Sequence, residues 1–191
     1  HLKPKPMVEV GGKPLLWHIM KTYAAHGIRD FIICGGYKHY IIKEYFLNYV
    51  HHNSDFTIST KSGEMTCHNT PGDDWTVTIV DTGLDTMTGG RLKRISSFLL
   101  DEEPFCLTYG DGVSDINITG LIRQHEKSGL EATVTAYVPQ GRFGIMKVHG
   151  SRVEQFVEKP IQSDQVISAG FFVFNKSVLR LIPDDFTVLE Q

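Results

Sequence analysis

Tyr109-Gly110-Asp111-Gly112 sets one carboxylate between two glycines directly after an apolar run, Phe105-Cys106-Leu107-Thr108. A carboxylate at a strand end suits Mg²⁺, which is usually held by one or two carboxylates plus substrate phosphates. Glycines beside it let ligand atoms approach the backbone. The same four residues also describe a plain Gly-Asp-Gly turn without a ligand. Lys3-Pro4-Lys5-Pro6-Met7 is a stiff, basic, extended stretch, because each proline fixes its own φ and biases its neighbour away from helix. A lysine held in that way serves as a point charge for phosphate; the alternative is a solvated basic segment. Thr88-Gly89-Gly90-Arg91-Leu92-Lys93-Arg94 places two glycines ahead of a basic helix start. Open N–H groups and the helix dipole favour an anion there, although a loop followed by a helix with a basic solvent face reads the same way. Glu158-Lys159-Pro160 ends an extended segment. Its carboxylate suits sugar hydroxyls and its ammonium suits phosphate, and a compensating charge pair is the alternative.

Several other chemistries are excluded. The G-x-x-x-x-G-K-[ST] spacing of a P-loop is absent, and no G-x-G-x-x-G follows a strand, which speaks against a nicotinamide oxidoreductase. No Ser-His-Asp or Cys-His arrangement stands out. His51, His52 and the Cys67-His68 pair lack metal-ligand spacing and read as surface loop residues, while His18, His26 and His125 read as packing or solvent-facing residues on helices. Lys plus Arg total 19 against 22 Asp plus Glu, a net charge of -3, so no basic excess serves general nucleic-acid binding. No apolar run is long enough to cross a membrane as a helix. Cys34, Cys67 and Cys106 form no C-x-x-C. This usage is expected of a reducing, cytoplasmic compartment.

These groups need elements to position them. With 41% hydrophobic and 21% charged residues over 191 positions, the composition is that of a folded domain. Apolar spacing predicts helices over 14–23, 40–50, 91–99 and 118–128, the last ending at Gly129. Buried or β-branched runs predict strands over 30–36, 76–81, 105–109 and 132–138. Residues 51–75 read as irregular, with a strand near 56–58. Strands alternating with helices up to residue 138 imply an α/β fold with a mostly parallel sheet flanked by helices. Extended segments at 144–149, 152–157 and 166–174, then a helical 176–182, imply a small mixed or antiparallel β extension after 138. In an open parallel sheet, ligands bind outside the carboxyl ends of the strands. Gly35-Gly36, Asp81-Thr82-Gly83 and Gly110-Asp111-Gly112 are therefore the places to expect a site.

In their order, these strings resemble the sugar-1-phosphate nucleotidyltransferases. The carrying residues are Lys3 through Pro14, Trp17-His18-Ile19-Met20, Val80-Asp81-Thr82-Gly83, Met87 through Arg94 and Thr108 through Gly112. Gly141-Arg142-Phe143-Gly144, Glu158-Lys159-Pro160 and Gly170-Phe171-Phe172-Val173 complete the set. The resemblance spans essentially the whole chain, and Thr88 through Arg94 points to the cytidylyl-transferring members. It implies a Rossmann-like nucleotidyltransferase sandwich over 1–191 as a single domain. It also implies transfer of a cytidylyl group from CTP to glucose 1-phosphate, with Mg²⁺ as cofactor. Lys5 and Asp111 match the catalytic positions, with Asp111 also the metal ligand. Thr86, Gly89, Gly90, Arg91 and Gly110 match nucleotide-binding positions. Gly144, Glu158, Lys159, Ser168 and Gly170 match the sugar-phosphate side.

Departures from the family pattern set further expectations. A glycine-rich loop of the form G-G-x-G-T-R-L would precede Lys3, and a second metal-binding aspartate would follow Gln191, so a domain truncated at both ends is expected. Ser168-Ala169-Gly170 stands where the family usually has Asn-Gly-Gly, which bears on sugar binding. The resemblance also implies a homo-oligomer and a product feeding deoxysugar synthesis for surface polysaccharide. Two alternatives stand beside it: the same chemistry with UTP, dTTP or GTP, and a non-catalytic nucleotide-sugar binding module.

Overall fold

The computed structural model describes residues 3–69, 72–100, 104–139, 144–158 and 166–191. A 3-10 turn, Lys5–Met7, leads into a small hairpin of β1 (Glu9–Val10) and β2 (Lys13–Pro14). Its two-residue turn, Gly11-Gly12, has φ of 59° and 78°. Positive φ at both central residues is what a tight hairpin of this hand requires, and glycine takes it without steric cost. Helix α1 (Leu15–Ala24) starts one residue after Pro14, whose extended backbone precedes the helix. It buries Leu16, Ile19, Met20, Tyr23 and Ala24, the stripe expected of one helix face.

Strand β3 (Asp30–Gly35) follows, then α2 (His39–Leu47) and α3 (Tyr49–His52). The single helix expected over 40–50 is broken at Asn48, where ψ swings to 4°. His51 and His52 consequently lie in a helical turn rather than a loop. The tract 51–75 holds a hairpin of β4 (Phe56–Ile58) and β5 (Met65–Cys67), in register Phe56↔Cys67. The expected strand near 56–58 is present, and its partner β5 has no clear signal in the sequence, because three exposed residues carry little periodicity.

Next come β6 (Thr76–Asp81), α4 (Thr88–Arg94), β7 (Phe105–Thr108) and α5 (Ile118–Ser128). Helix α4 begins at Thr88, so Gly89 and Gly90 lie inside it rather than ahead of it. In α5, Asn117 Oδ1 accepts from Gly120 N at 2.9 Å, and Gly129 at φ 64° ends the helix. The remaining strands are β8 (Ala132–Tyr137), β9 (Ile145–His149), β10 (Arg152–Val157) and β11 (Ile167–Phe174), followed by a 3-10 turn, Lys176–Leu181.

Among the described residues, β3 and β6 form the parallel pair, in register Asp30↔Thr76 through Gly35↔Asp81. Strands β7 and β8 both pair antiparallel with β11, which lies between them. The segment expected as a peripheral extension is thus the centre of a sheet. Its run Phe171-Phe172-Val173-Phe174 is buried throughout, as a strand covered on both faces must be. Strands β9 and β10 form a separate antiparallel ribbon, exposed along its length.

Three apolar clusters hold these layers together. Met7, Leu16, Met20 and Ile42 pack α1 and α2 onto β3 and β6. Leu92, Ile95, Phe172, Phe174, Leu179 and Ile182 join α4 to β11. Ile19, Tyr23, Ile118 and Phe171 link α1 and α5 across the same strand. Strands β3 and β7 face each other across a largely apolar cavity of about 990 Å³, lined by Ile32, Cys34, Cys106 and Leu107 among others. Burial pushes the Cys34 and Cys106 thiols up to about 11, so both are neutral packing groups near neutral pH.

Candidate active site

The two charged groups singled out at opposite ends of the sequence pattern meet in the fold. Lys5 Nζ donates to Asp111 Oδ2 at 3.0 Å across 106 positions. Lys5 hangs from a short 3-10 turn that is pinned by Met7, 5% exposed. Pro6 then rests on Gly110: a Cβ there would lie 2.7 Å from Pro6 Cγ. The proline therefore reaches the strand end only because residue 110 has no side chain, and that contact sets Lys5 above Asp111. Both charged side chains are open to solvent, at 82% and 43% exposure. A pair this exposed contributes only ~0–1 kcal/mol to stability. Its value lies instead in placing a cation and an anion side by side at the carboxyl end of β7.

Arg91 ties two neighbouring strand ends together. Its Nη1 donates to Thr82 Oγ1 at 2.7 Å and to Gly35 O at 3.3 Å, and its Nη2 donates to Leu84 O at 3.1 Å. Thr82 is fully buried, and its own hydroxyl donates to Gly35 O at 2.8 Å. The guanidinium lies flat on Gly36, where a Cβ would be 2.5 Å from Nη1. Thr86 is buried at 8% exposure, close to Gly83. Thr86, Arg91 and the ends of β3 and β6 thus form one constellation, as the strand-end rule leads one to expect. Asp81 stands at its rim. The Gly83 amide, donating at 3.0 Å, holds the Asp81 carboxyl below its usual range, and His39, Lys43 and Arg94 add to that effect.

Gly89 and Gly90 make a different contact. Their amides donate to Thr187 O at 3.0 and 3.4 Å, so they are not open to an anion. A Cβ on Gly90 would lie 2.5 Å from the Asp185 Cα and O, and one on Gly89 would lie 2.9 Å from Thr187 O. The two glycines let segment 184–188 lie flat on α4. Arg94 secures that segment, donating from Nε to Asp185 Oδ1 at 2.9 Å and from Nη2 to Oδ2 at 2.5 Å. Leu189 N donates to Thr88 Oγ1 at 2.9 Å.

The expected sugar-phosphate residues fall in two places. Gly144 and Glu158 meet where β9 begins and β10 ends: a Cβ on Gly144 would be 2.9 Å from Glu158 Oε2 and 2.5 Å from Phe156 Cζ. Ser168 and Gly170 lie with Asp111, Gly112, Tyr109 and Glu190 around a cavity of about 370 Å³. Lys159 lies outside the described residues. Tyr109 and Glu190, whose side chains are hydrogen-bonded, were not singled out as site residues. Tyr109 was legible only as part of the Tyr109-Gly110-Asp111-Gly112 string, and nothing local marks Glu190. Asp185 and Arg94 were likewise silent, because their pairing spans 91 positions.

Asp111 suits a divalent cation. Its carboxylate is exposed, flanked by glycines and held at a strand end. Among the described residues no group of three or more His, Cys, Asp or Glu gathers around it. One carboxylate completed by substrate phosphates is an ordinary Mg²⁺ donor set.

Comparison with known proteins bears on the family and the fold. A family model described as Nucleotidyl transferase matches residues 1–187. A glucose-1-phosphate cytidylyltransferase of Salmonella typhimurium is 53% identical over 190 residues, covering 100% of this chain and 74% of the relative. A mannose-1-phosphate guanyltransferase of Hypocrea jecorina is 28% identical over 186 residues, covering 94% of this chain and 46% of that protein. Among solved structures, HddC from Yersinia pseudotuberculosis superposes with a TM-score of 0.64 at 21% identity, over 98% of this chain and 74% of that one. A UDP-glucose pyrophosphorylase complexed with UDP-glucose gives a TM-score of 0.59 at 15% identity, over 94% of this chain and 70% of that one. These two superpositions speak to the fold, a Rossmann-like α/β sandwich. The family match and the 53% relative reach further: the chain belongs to the nucleotidyl transferase family.

Proposed function

We propose that this protein transfers the cytidylyl group of CTP to glucose 1-phosphate, giving CDP-glucose and pyrophosphate. The observation that carries the chemistry is the 3.0 Å approach of Lys5 Nζ to Asp111 Oδ2 in the open mouth beside β7. The cytidylyl assignment rests on 53% identity to a glucose-1-phosphate cytidylyltransferase over the whole chain. The phosphate oxygen of glucose 1-phosphate forms a new bond to the α-phosphorus of CTP as the bond to pyrophosphate breaks. No protein nucleophile is required, so the protein's task is positioning and charge stabilisation.

Lys5 places its ammonium against the reacting phosphates. Thr86, Arg91 and Gly110 line the nucleotide's place at the strand ends, and Gly89 and Gly90 support it by seating segment 184–188 on α4. Gly144, Glu158, Lys159, Ser168 and Gly170 serve the sugar phosphate. Asp111 would hold Mg²⁺, which supplies charge neutralisation on the phosphates and the leaving pyrophosphate. Residues 1–191 act as one nucleotidyltransferase domain of a homo-oligomer, in the cytoplasm, and the product feeds deoxysugar and surface lipopolysaccharide synthesis. No helix among the described residues is long and apolar enough to cross a membrane.

The test is pyrophosphate release from CTP and glucose 1-phosphate with Mg²⁺, against an Asp111→Ala control. Equal release from both proteins would remove the assignment of Asp111. No release from the unmodified protein, with CTP and CDP-glucose still bound in calorimetry, would favour a binding module. UTP, dTTP or GTP outcompeting CTP would reassign the base.

A further inference from the structure

Residues 82–87 join β6 to α4 and carry Thr86, assigned above to the nucleotide. Apolar packing does not hold this loop in shape. Its large apolar residues, Leu84 and Met87, are exposed, and none of its residues belongs to the three apolar clusters. Its geometry therefore depends on polar contacts made from outside the loop.

Those contacts grip both ends. At the first end, Arg94 Nη1 donates to Thr82 O at 3.1 Å. At the last, Met87 N donates to Asp185 O at 2.8 Å. The two anchors are themselves joined, because Arg94 Nε and Nη2 donate to the two carboxylate oxygens of Asp185. Asp185 thus reaches one end of the loop with its backbone and the other end through Arg94. Gly83 leaves room for this arrangement: a Cβ there would lie 2.9 Å from Arg94 Nη1 and 2.8 Å from Thr86 Oγ1.

A guanidinium presents its N–H donors in one rigid plane. The fork that grips Asp185 therefore also fixes the direction in which Nη1 points at Thr82. Both charged side chains are partly open to solvent, at 42% and 41% exposure. An ion pair so placed adds only ~0–1 kcal/mol to overall stability, so its main consequence is local geometry. We infer that Arg94 and Asp185 are positioning residues for the nucleotide: they close a clasp around residues 82–87 and hold Thr86 in place for CTP. This rests on the functional reading above. Neither residue needs to touch the nucleotide. The clasp puts segment 184–188 in control of nucleotide affinity from 91 positions away.

The experiment compares Arg94→Ala, Arg94→Lys, Asp185→Asn and the Arg94→Ala/Asp185→Asn double variant. It reads CTP affinity by calorimetry, KM for each substrate, and amide hydrogen exchange. Arg94→Ala is expected to weaken CTP binding by about tenfold, as for the loss of a hydrogen bond to a charged group. KM for CTP should rise with it, and KM for glucose 1-phosphate should stay unchanged. Arg94→Lys should be as impaired, since lysine keeps the charge and loses the planar fork. The double variant should be no weaker than Arg94→Ala, because members of one network do not act additively. Amides of residues 82–87 should exchange faster in Asp185→Asn, with β3 and β6 still protected. Arg94→Lys and Asp185→Asn decide the matter where Arg94→Ala does not fold. Equal rises in both KM values, independent effects of the two substitutions, or unchanged exchange in the loop would overturn the inference. An unmodified protein that binds no CTP would instead remove the functional reading itself, while hydrogen exchange would still report on the clasp.

Discussion

Pro6 sits on Gly110 with no room for a methyl group between them, and this contact sets Lys5 over Asp111. Gly110→Ala would push Pro6 outward or bend the end of β7. Misplacement by ~1 Å at a positioning contact costs about a hundredfold in rate. We therefore expect Gly110→Ala to lower kcat by ten- to hundredfold. Thermal unfolding should shift little, because Pro6 can lift away from an open strand end. A variant with normal kcat would show that Lys5 finds its place without this contact.

Lys5→Ala separates chemistry from folding. The ion pair is exposed on both sides, so its loss should change stability by under about 1 kcal/mol. Turnover should fall by two or more orders of magnitude if the ammonium stabilises charge in the transition state. Denaturant unfolding and pyrophosphate release, measured on the same preparation, decide the matter. A large loss of stability with turnover per folded molecule intact would assign Lys5 a structural role.

Gly90→Ala tests the seating of segment 184–188 on α4. The added methyl would meet Asp185 backbone at 2.5 Å, which cannot swing aside as a side chain can. Overpacking of this kind costs about 1–3 kcal/mol. Alanine's better helix propensity offsets at most ~1 kcal/mol. A net drop in unfolding free energy is expected, and a stabilised variant would mean that the segment does not lie on α4 in solution.

The Arg94–Asp185 pair carries a pH signature. Arg94 beside it holds the Asp185 carboxyl below its usual range. A depressed carboxyl stabilises the fold above its unfolded pKa of about 3.9, and that contribution is lost as pH falls through the folded value. Stability should therefore fall below about pH 4 more steeply in the natural protein than in Asp185→Asn. Parallel acid limbs in the two proteins would show that the pair does not persist in solution.

Local elements were largely legible in the sequence because their causes are local. Helix α5 runs from an asparagine cap to a left-handed glycine, and both boundaries follow from the residue types at the helix's own ends. The parallel pairing of β3 with β6 matches the apolar runs that predict those strands. Lys5 and Asp111 were candidates by residue type and by the strings around them, with their roles carried by the family resemblance. The role of β11 was less visible: its apolar run marks a buried strand, but its place between β7 and β8 depends on pairing across thirty or more positions. Gly89 and Gly90 looked like an open anion site because their sequence context is that of a helix start, and segment 184–188 occupies their amides only once the chain has folded back.

Sequence alone thus determined the α/β class through short-range spacing and the family through resemblance, and it singled out Lys5 and Asp111 as candidate charged groups. Tertiary structure alone decided which of those groups meet. Lys5 and Asp111, Arg94 and Asp185, and Tyr109 and Glu190 are joined across 106, 91 and 81 positions. Contacts over such separations have no local signature: they arise when buried strands and helices fix their exposed ends in space.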